Sequence, residues 1–142
     1  NFIGGGVGMV DKSTVNGLHI KGDVAGNGKY TGGVFGLIYF NDDITISDCS
    51  FQGDVVGQTY TGGIAGEIQN RGKLSECVNY GTVSGSDNVG GVAGKMYAED
   101  DEPYVTYCVN VGNVSGVSEI GGAKVRTRSS LFIGNFTPIN DS

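Results

Sequence analysis

A Gly-Gly pair recurs along this chain at Gly4, Gly32, Gly62, Gly90 and Gly121, at intervals of 28, 30, 28 and 31 residues. A period near 30 residues implies stacked supersecondary units, each too small to bury a core alone. The segments Gly32-Gly-Val34-Phe-Gly36-Leu-Ile38, Gly62-Gly-Ile64-Ala-Gly66-Glu-Ile68 and Gly90-Gly-Val92-Ala-Gly94-Lys-Met96 share one pattern, and Gly4-Gly-Gly-Val7-Gly8-Met-Val10 is a degenerate first copy. A second pattern keeps phase with the first: Leu18-His-Ile-Lys-Gly22-Asp-Val24, Cys49-Ser-Phe-Gln-Gly53-Asp-Val55, Cys77-Val-Asn-Tyr-Gly81-Thr-Val83 and Cys108-Val-Asn-Val-Gly112-Asn-Val114. Two motifs in phase over four periods define an array.

Residue parity assigns the faces, because successive side chains of a strand point to opposite sides. In the Gly-Gly strand, Val34, Gly36 and Ile38 share a side with Ile64, Gly66, Ile68 and with Val92, Gly94, Met96, while the opposite side carries Glu67 and Lys95. The first set is expected inside and the charged set outside. In the second strand Cys49, Phe51, Gly53 and Val55 share one parity, which places the cysteine row inside. Val15, Ile46, Leu74 and Val105 each stand three residues before the Leu or Cys position. Three is odd, so a bend must separate the two if both face inward.

The interval from the Gly-Gly pair to the Leu or Cys position varies (14, 17, 15 and 18 residues), whereas the return from Gly22, Gly53, Gly81 or Gly112 to the next pair is 10, 9, 9 and 9. Length variation marks surface loops, here Asp11-Lys12, Asn41-Asp42-Asp43, Asn70-Arg71-Gly72-Lys73 and 98–103. The expectation is an all-β, parallel β-solenoid of about 4–5 coils, with repeats over residues 1–122 and an irregular C-terminal strand or cap over 123–142. The chain opens at Asn1 already inside a repeat, so it reads as a piece of a longer polypeptide.

Composition agrees. With 27 Gly, no Trp and 17% charged residues, the chain suits neither a helical bundle nor a disordered acidic tail. A net charge of -6 with nine scattered Lys and Arg argues against nucleic acid as a partner. No stretch approaches the ~18 uninterrupted apolar residues of a membrane-spanning helix.

The Gly-Gly-[Val/Ile]-x-Gly strand followed by Cys-x-Asn-x-Gly-x-Val-x-Gly resembles the GLUG-motif repeats of bacterial cell-surface and secreted proteins. These include adhesin-like proteins and non-catalytic regions of immunoglobulin-A metalloproteases. The likeness spans roughly residues 1–122 and is strongest from Tyr30 to Gly122. It implies an extracellular or cell-surface scaffold or adhesion segment and brings no catalytic residues with it. A metalloprotease would need a His-Glu-x-x-His motif, which does not occur here.

Candidate sites follow from these assignments. Cys49, Cys77 and Cys108 read as a buried ladder of small hydrophobes, with Leu18 in the same slot, rather than as a disulfide or zinc site. Asn79 and Asn110 read as a stacked amide pair. The loops supply the candidate recognition residues: aromatic Tyr39, Phe40, Tyr97 and Tyr104, which could stack on sugars or a partner, with Asp42, Asp43, Arg71, Asp100 and Asp101. No cofactor is expected. Calcium is the alternative for the acidic loops, although neither an EF-hand nor an RTX spacing is present.

The leading functional expectation is a non-enzymatic module acting as a rigid scaffold or adhesion segment. Its partners would be adjoining coils or domains of the same polypeptide, with a host protein or glycan as recognition targets. The alternatives are an accessory region of a secreted immunoglobulin-A-type metalloprotease and a carbohydrate-binding or carbohydrate-processing β-helix. An ice-binding face would need an unbroken Thr row, and Thr31 and Thr61 are followed in line by Val89 and Ile120.

Overall fold

The structure is a computed structural model, and it describes residues 1–97, 104–116, 118–120 and 136–138. The first coil comprises β1 (Phe2–Gly4), β2 (Val7–Asp11), β3 (Val15–Asn16), β4 (His19–Lys21) and β5 (Val24–Ala25). The second comprises β6 (Tyr30–Gly32), β7 (Phe35–Ser47), β8 (Ser50–Gln52) and β9 (Asp54–Val56). The third comprises β10 (Thr59–Gly62), β11 (Ala65–Ser75), β12 (Val78–Asn79) and β13 (Thr82–Ser84). The fourth comprises β14 (Asp87–Gly90), β15 (Ala93–Tyr97), β16 (Tyr104–Thr106), β17 (Val109–Asn110) and β18 (Val114–Gly116). β19 (Ser118–Ile120) and β20 (Phe136–Pro138) pair with β14 and β18.

Equivalent strands pair in parallel into four sheets, ordered β1-β6-β10-β14-β19, β2-β7-β11-β15, β4-β8-β12-β17 and β5-β9-β13-β18-β20, with β3 and β16 joining the second sheet. This is a β-solenoid of about four turns. The expected repeat is therefore the structural unit, and each motif defines one wall. The Gly-Gly pair turns the chain from the first sheet to the second, and the Cys or Leu segment opens the third. After Ile120 the capping expectation is only partly open to view, because 121–135 and 139–142 lie outside the described residues.

The bend required by parity is present in every coil. Gly17, Asp48, Glu76 and Tyr107, each immediately before the Leu or Cys position, take left-handed φ values of 76°, 53°, 54° and 52°. That single residue reverses the phase, so Ile46, Leu74 and Val105 and also Cys49, Cys77 and Cys108 are no more than 1% exposed. The cost of a left-handed non-glycine residue, about 1–2 kcal/mol, is accepted at three corners. The core gains two inward rows from one odd spacing.

The coil is thin. A Cβ on Gly63 would lie 2.2 Å from Nδ2 of Asn79, and one on Gly91 would lie 2.3 Å from Cγ of Asn110. The second glycine of each pair thus leaves room for the third-sheet side chain facing it across the coil. Val24, Val55, Val83 and Val114 complete the interior from the fourth sheet.

Candidate functional site

Two of the segments expected to be loops are strand. β7 and β11 run unbroken through 41–43 and 70–72, pairing from Ala65 with Phe35 to Ser75 with Ser47. Neighbouring coils carry extensions of similar length, so their backbone amides and carbonyls satisfy one another in a longer ladder. The register shifts once: Asn70 pairs with Phe40 and Gly72 with Ile44, which leaves Arg71 opposite the stretch containing Asp42 and Asp43. The basic segment thus adjoins the acidic one, as the coil order requires. Tyr104 pairs with Lys73. Asp100 and Asp101 lie outside the described residues.

Tyr39 and Tyr97 occupy one row. Tyr39 pairs with Asp11 on one side and Gln69 on the other, and Gln69 pairs with Tyr97. The Tyr39 side chain is half-buried. The structure thus brings Tyr39, Phe40, Asp42, Asp43, Arg71, Tyr97 and Tyr104 onto one extended part of the second sheet.

Sequence reasoning missed the cluster two residues further back on this row. Glu67 is 3% exposed and Leu37 4%, although parity had placed Glu67 and Lys95 on an outward face. Tyr30 and Tyr60, each two residues before a Gly-Gly pair, meet this face. Lys95 Nζ donates to the Tyr60 hydroxyl at 3.0 Å and lies 4.4 Å from its ring centroid. Phe2, Tyr30 and Tyr60 stack along the axis with centroid separations of 5.2 and 5.5 Å, and Lys29 Nζ is 5.3 Å from both tyrosine rings. The signal was available as an aromatic residue at the same offset in three successive periods, followed by Asn88 in the fourth.

The cluster is electrostatically coupled. Burial raises the Glu67 carboxyl above its ordinary range, opposed by the hydrogen bond from Gln69 Nε2, the charges of Lys95 and Lys29, and the Tyr30 hydroxyl. The hydrogen bond to Tyr60 raises Lys95, against a smaller opposing effect of burial. Ring faces here meet other rings or ammonium groups, which makes the cluster a lateral strut. Phe2, 43% exposed, ends the stack.

Inside the coil, Asn79 Nδ2 donates to Asn110 Oδ1 at 2.8 Å and to the Gly81 carbonyl at 3.1 Å, and Gly81 N–H donates back to Asn79 Oδ1 at 3.0 Å. The amide pair is thus a structural ladder. The three thiols are free and buried, with Cys49 donating to Ser47 O at 3.4 Å, Cys77 to Ser75 O at 3.2 Å and Cys108 to Thr106 O at 3.4 Å. The Cys77 thiol between them lowers Cys49 to about 7 and lowers Cys108, and is itself raised by Cys108 and then Cys49.

The aligned Thr31 and Thr61 are fully buried, in register with each other and with Val89, and their hydroxyls have no hydrogen-bond partner. An ice-binding face built on them is therefore ruled out, because the row points into the coil. Among the described residues, no group of three or more His, Cys, Asp or Glu side chains could hold a metal ion. Nor is any helix among them long and apolar enough to cross a membrane.

No family model, curated protein or solved structure matches this chain.

Proposed function

We propose that this chain is a non-enzymatic β-solenoid module of a surface or secreted protein, a rigid scaffold that presents the extended part of its second sheet for adhesion. One observation carries the reading: the side chains that recur with the period, namely the core aliphatics, thiols and amides, are buried and used for contact between coils. What varies from coil to coil is concentrated on β7, β11 and β15, where Tyr39, Arg71 and Tyr97 stand close in register. Repeat arrays use this division, with a uniform interior and a variable lateral surface. The extracellular setting rests on the GLUG-motif resemblance.

The test is binding of the purified chain to a glycan array and to intact host cells, with Tyr39→Ala and Arg71→Ala as variants. The expected result is a saturable ligand whose affinity falls at least about tenfold in the double variant, with the melting temperature nearly unchanged. Release of new reducing ends from an acidic polysaccharide would instead overturn the non-enzymatic reading in favour of a carbohydrate-processing β-helix.

A further inference from the structure

We propose that the outward face of the third sheet, between Tyr107 and Tyr80, binds a short neutral oligosaccharide of β-linked pyranose units. Three rows of side chains leave this face, and each changes character from the second coil to the fourth. Gln52 gives way to Tyr80 and Val111, Ser50 to Val78 and Val109, and Asp48 to Glu76 and Tyr107. Tyr107, Tyr80 and Val111 are 65, 56 and 54% exposed, and Val78 and Val109 between them are half-buried. The two tyrosines thus stand at opposite corners of the sheet, on adjacent rungs, over a valine floor.

Tyr107 carries the argument. Its φ of 52° is left-handed, which costs a residue with a Cβ about 1–2 kcal/mol, and its ring gains little burial in return. Glycine fills the same corner in the first coil, as Gly17. A strained and solvated aromatic adds little to the packing of its own coil, and strain of this kind marks residues used for contact with something outside the fold.

Size, charge and shape select the occupant. Tyr107, Tyr80 and the three valines cover on the order of 500 Å², short of the ~800 Å² per partner that a stable protein interface needs. Glu76 is the rung-mate of Tyr107 and precedes Tyr80 by four residues, so the tyrosine Cα atoms are roughly 12–14 Å apart, about the length of a trisaccharide. A pyranose with equatorial hydroxyls offers a C–H face that stacks on a phenol ring and a polar rim that needs hydrogen bonds. Valine provides none, but the exposed Glu76 carboxylate and Gln52 amide flank the floor. Glu76 and Asp48 are acidic, whereas His19 and Lys21 lie on the first coil, away from the tyrosines. Uronic or sulfated chains are therefore repelled and neutral ones are not. The site lies on a different sheet from the proposed adhesion surface and does not rest on that reading.

The experiment is titration of the whole chain with cellotetraose, chitotetraose and tetragalacturonate, followed by valine methyl NMR shifts and calorimetry. The expected result is binding of a neutral tetraose with a Kd of about 1 mM or tighter, shifts centred on Val78, Val109 and Val111, and no binding of tetragalacturonate. Tyr107→Asn, which suits the left-handed corner, and Tyr80→Ser should each weaken binding at least about tenfold. The melting temperature of Tyr107→Asn should be unchanged or raised. The double variant Tyr39→Ala, Arg71→Ala should bind the tetraose as wild type does. No binding of either neutral tetraose, shifts centred elsewhere, or full affinity in both tyrosine variants overturns the assignment. Self-association that Tyr107→Asn abolishes would overturn it in favour of a second copy as the occupant, and a lowered melting temperature with binding intact would make Tyr107 structural instead.

Discussion

The first coil and the third carry the same pattern in different surroundings. In the third, which has a neighbour on both sides, Leu74, Cys77, Asn79 and Val83 are at most 1% exposed. In the first, Val15, Leu18 and Ile20 are only half-buried and Val24 is 8% exposed. Nothing in the local motif explains the difference. Each coil supplies half of the cover for the next, so the stability of a residue depends on its neighbours as much as on its own row.

The sharpest way to break this comparison is to place a carboxylate in the fourth sheet. Val83→Asp should cost several kcal/mol, read as loss of the folded baseline in urea melts, whereas Val24→Asp, at the edge, should cost clearly less. Equal losses would show that the coils are not unequally covered. Next in size is the second sheet's inner row, where Leu74→Ala should lose about 2–5 kcal/mol and Val15→Ala less than half of that. Glycine supplies a third contrast. A Cβ on Gly63 would meet both Asn79 Nδ2 and Gly91 O at 2.2 Å, whereas one on Gly17 meets nothing within 4 Å and suffers only the left-handed φ of 76°. Gly63→Ala should therefore destabilise by about 1–3 kcal/mol or more, and Gly17→Ala by about 1 kcal/mol, as ranked by their midpoints in guanidinium.

Glu67→Gln should act through pH. The folded carboxyl is raised, so between the ordinary carboxyl range and that raised value the folded chain holds the extra proton, and wild-type stability falls as pH rises through this window. Above it the buried charge is a constant cost. The variant should lack this slope and melt slightly higher at neutral pH; a variant with an unchanged pH profile would remove Glu67 as its source. The smallest effect expected is that of Asp54→Ala, within about 0.5 kcal/mol, because Asp54 is exposed and its bond to Thr82 Oγ1 lies on the surface.

The periodic rows were legible from the chain itself. Parity placed Cys49, Phe51 and Val55 together, and the odd interval to Ile46 required the corner now seen at Asp48. Parity did not reveal the roof over Glu67, since alternation identifies the two sides of a strand without saying what folds against either. The burial of Thr31 and Thr61 likewise came only from the structure, although Val89 in the same line carried an inward signal.

The sequence by itself determined the repeat unit, its inner rows and its turns, because these depend on spacing, side-chain parity and the steric demands of glycine, all of which are local. Only the tertiary structure decided that 41–43 and 70–72 continue as paired strand rather than loop, and that Tyr30 and Tyr60 close over Glu67 and Lys95. Both outcomes come from neighbouring coils meeting in register, which lets backbone groups satisfy each other across rungs and turns an outward face into a covered one.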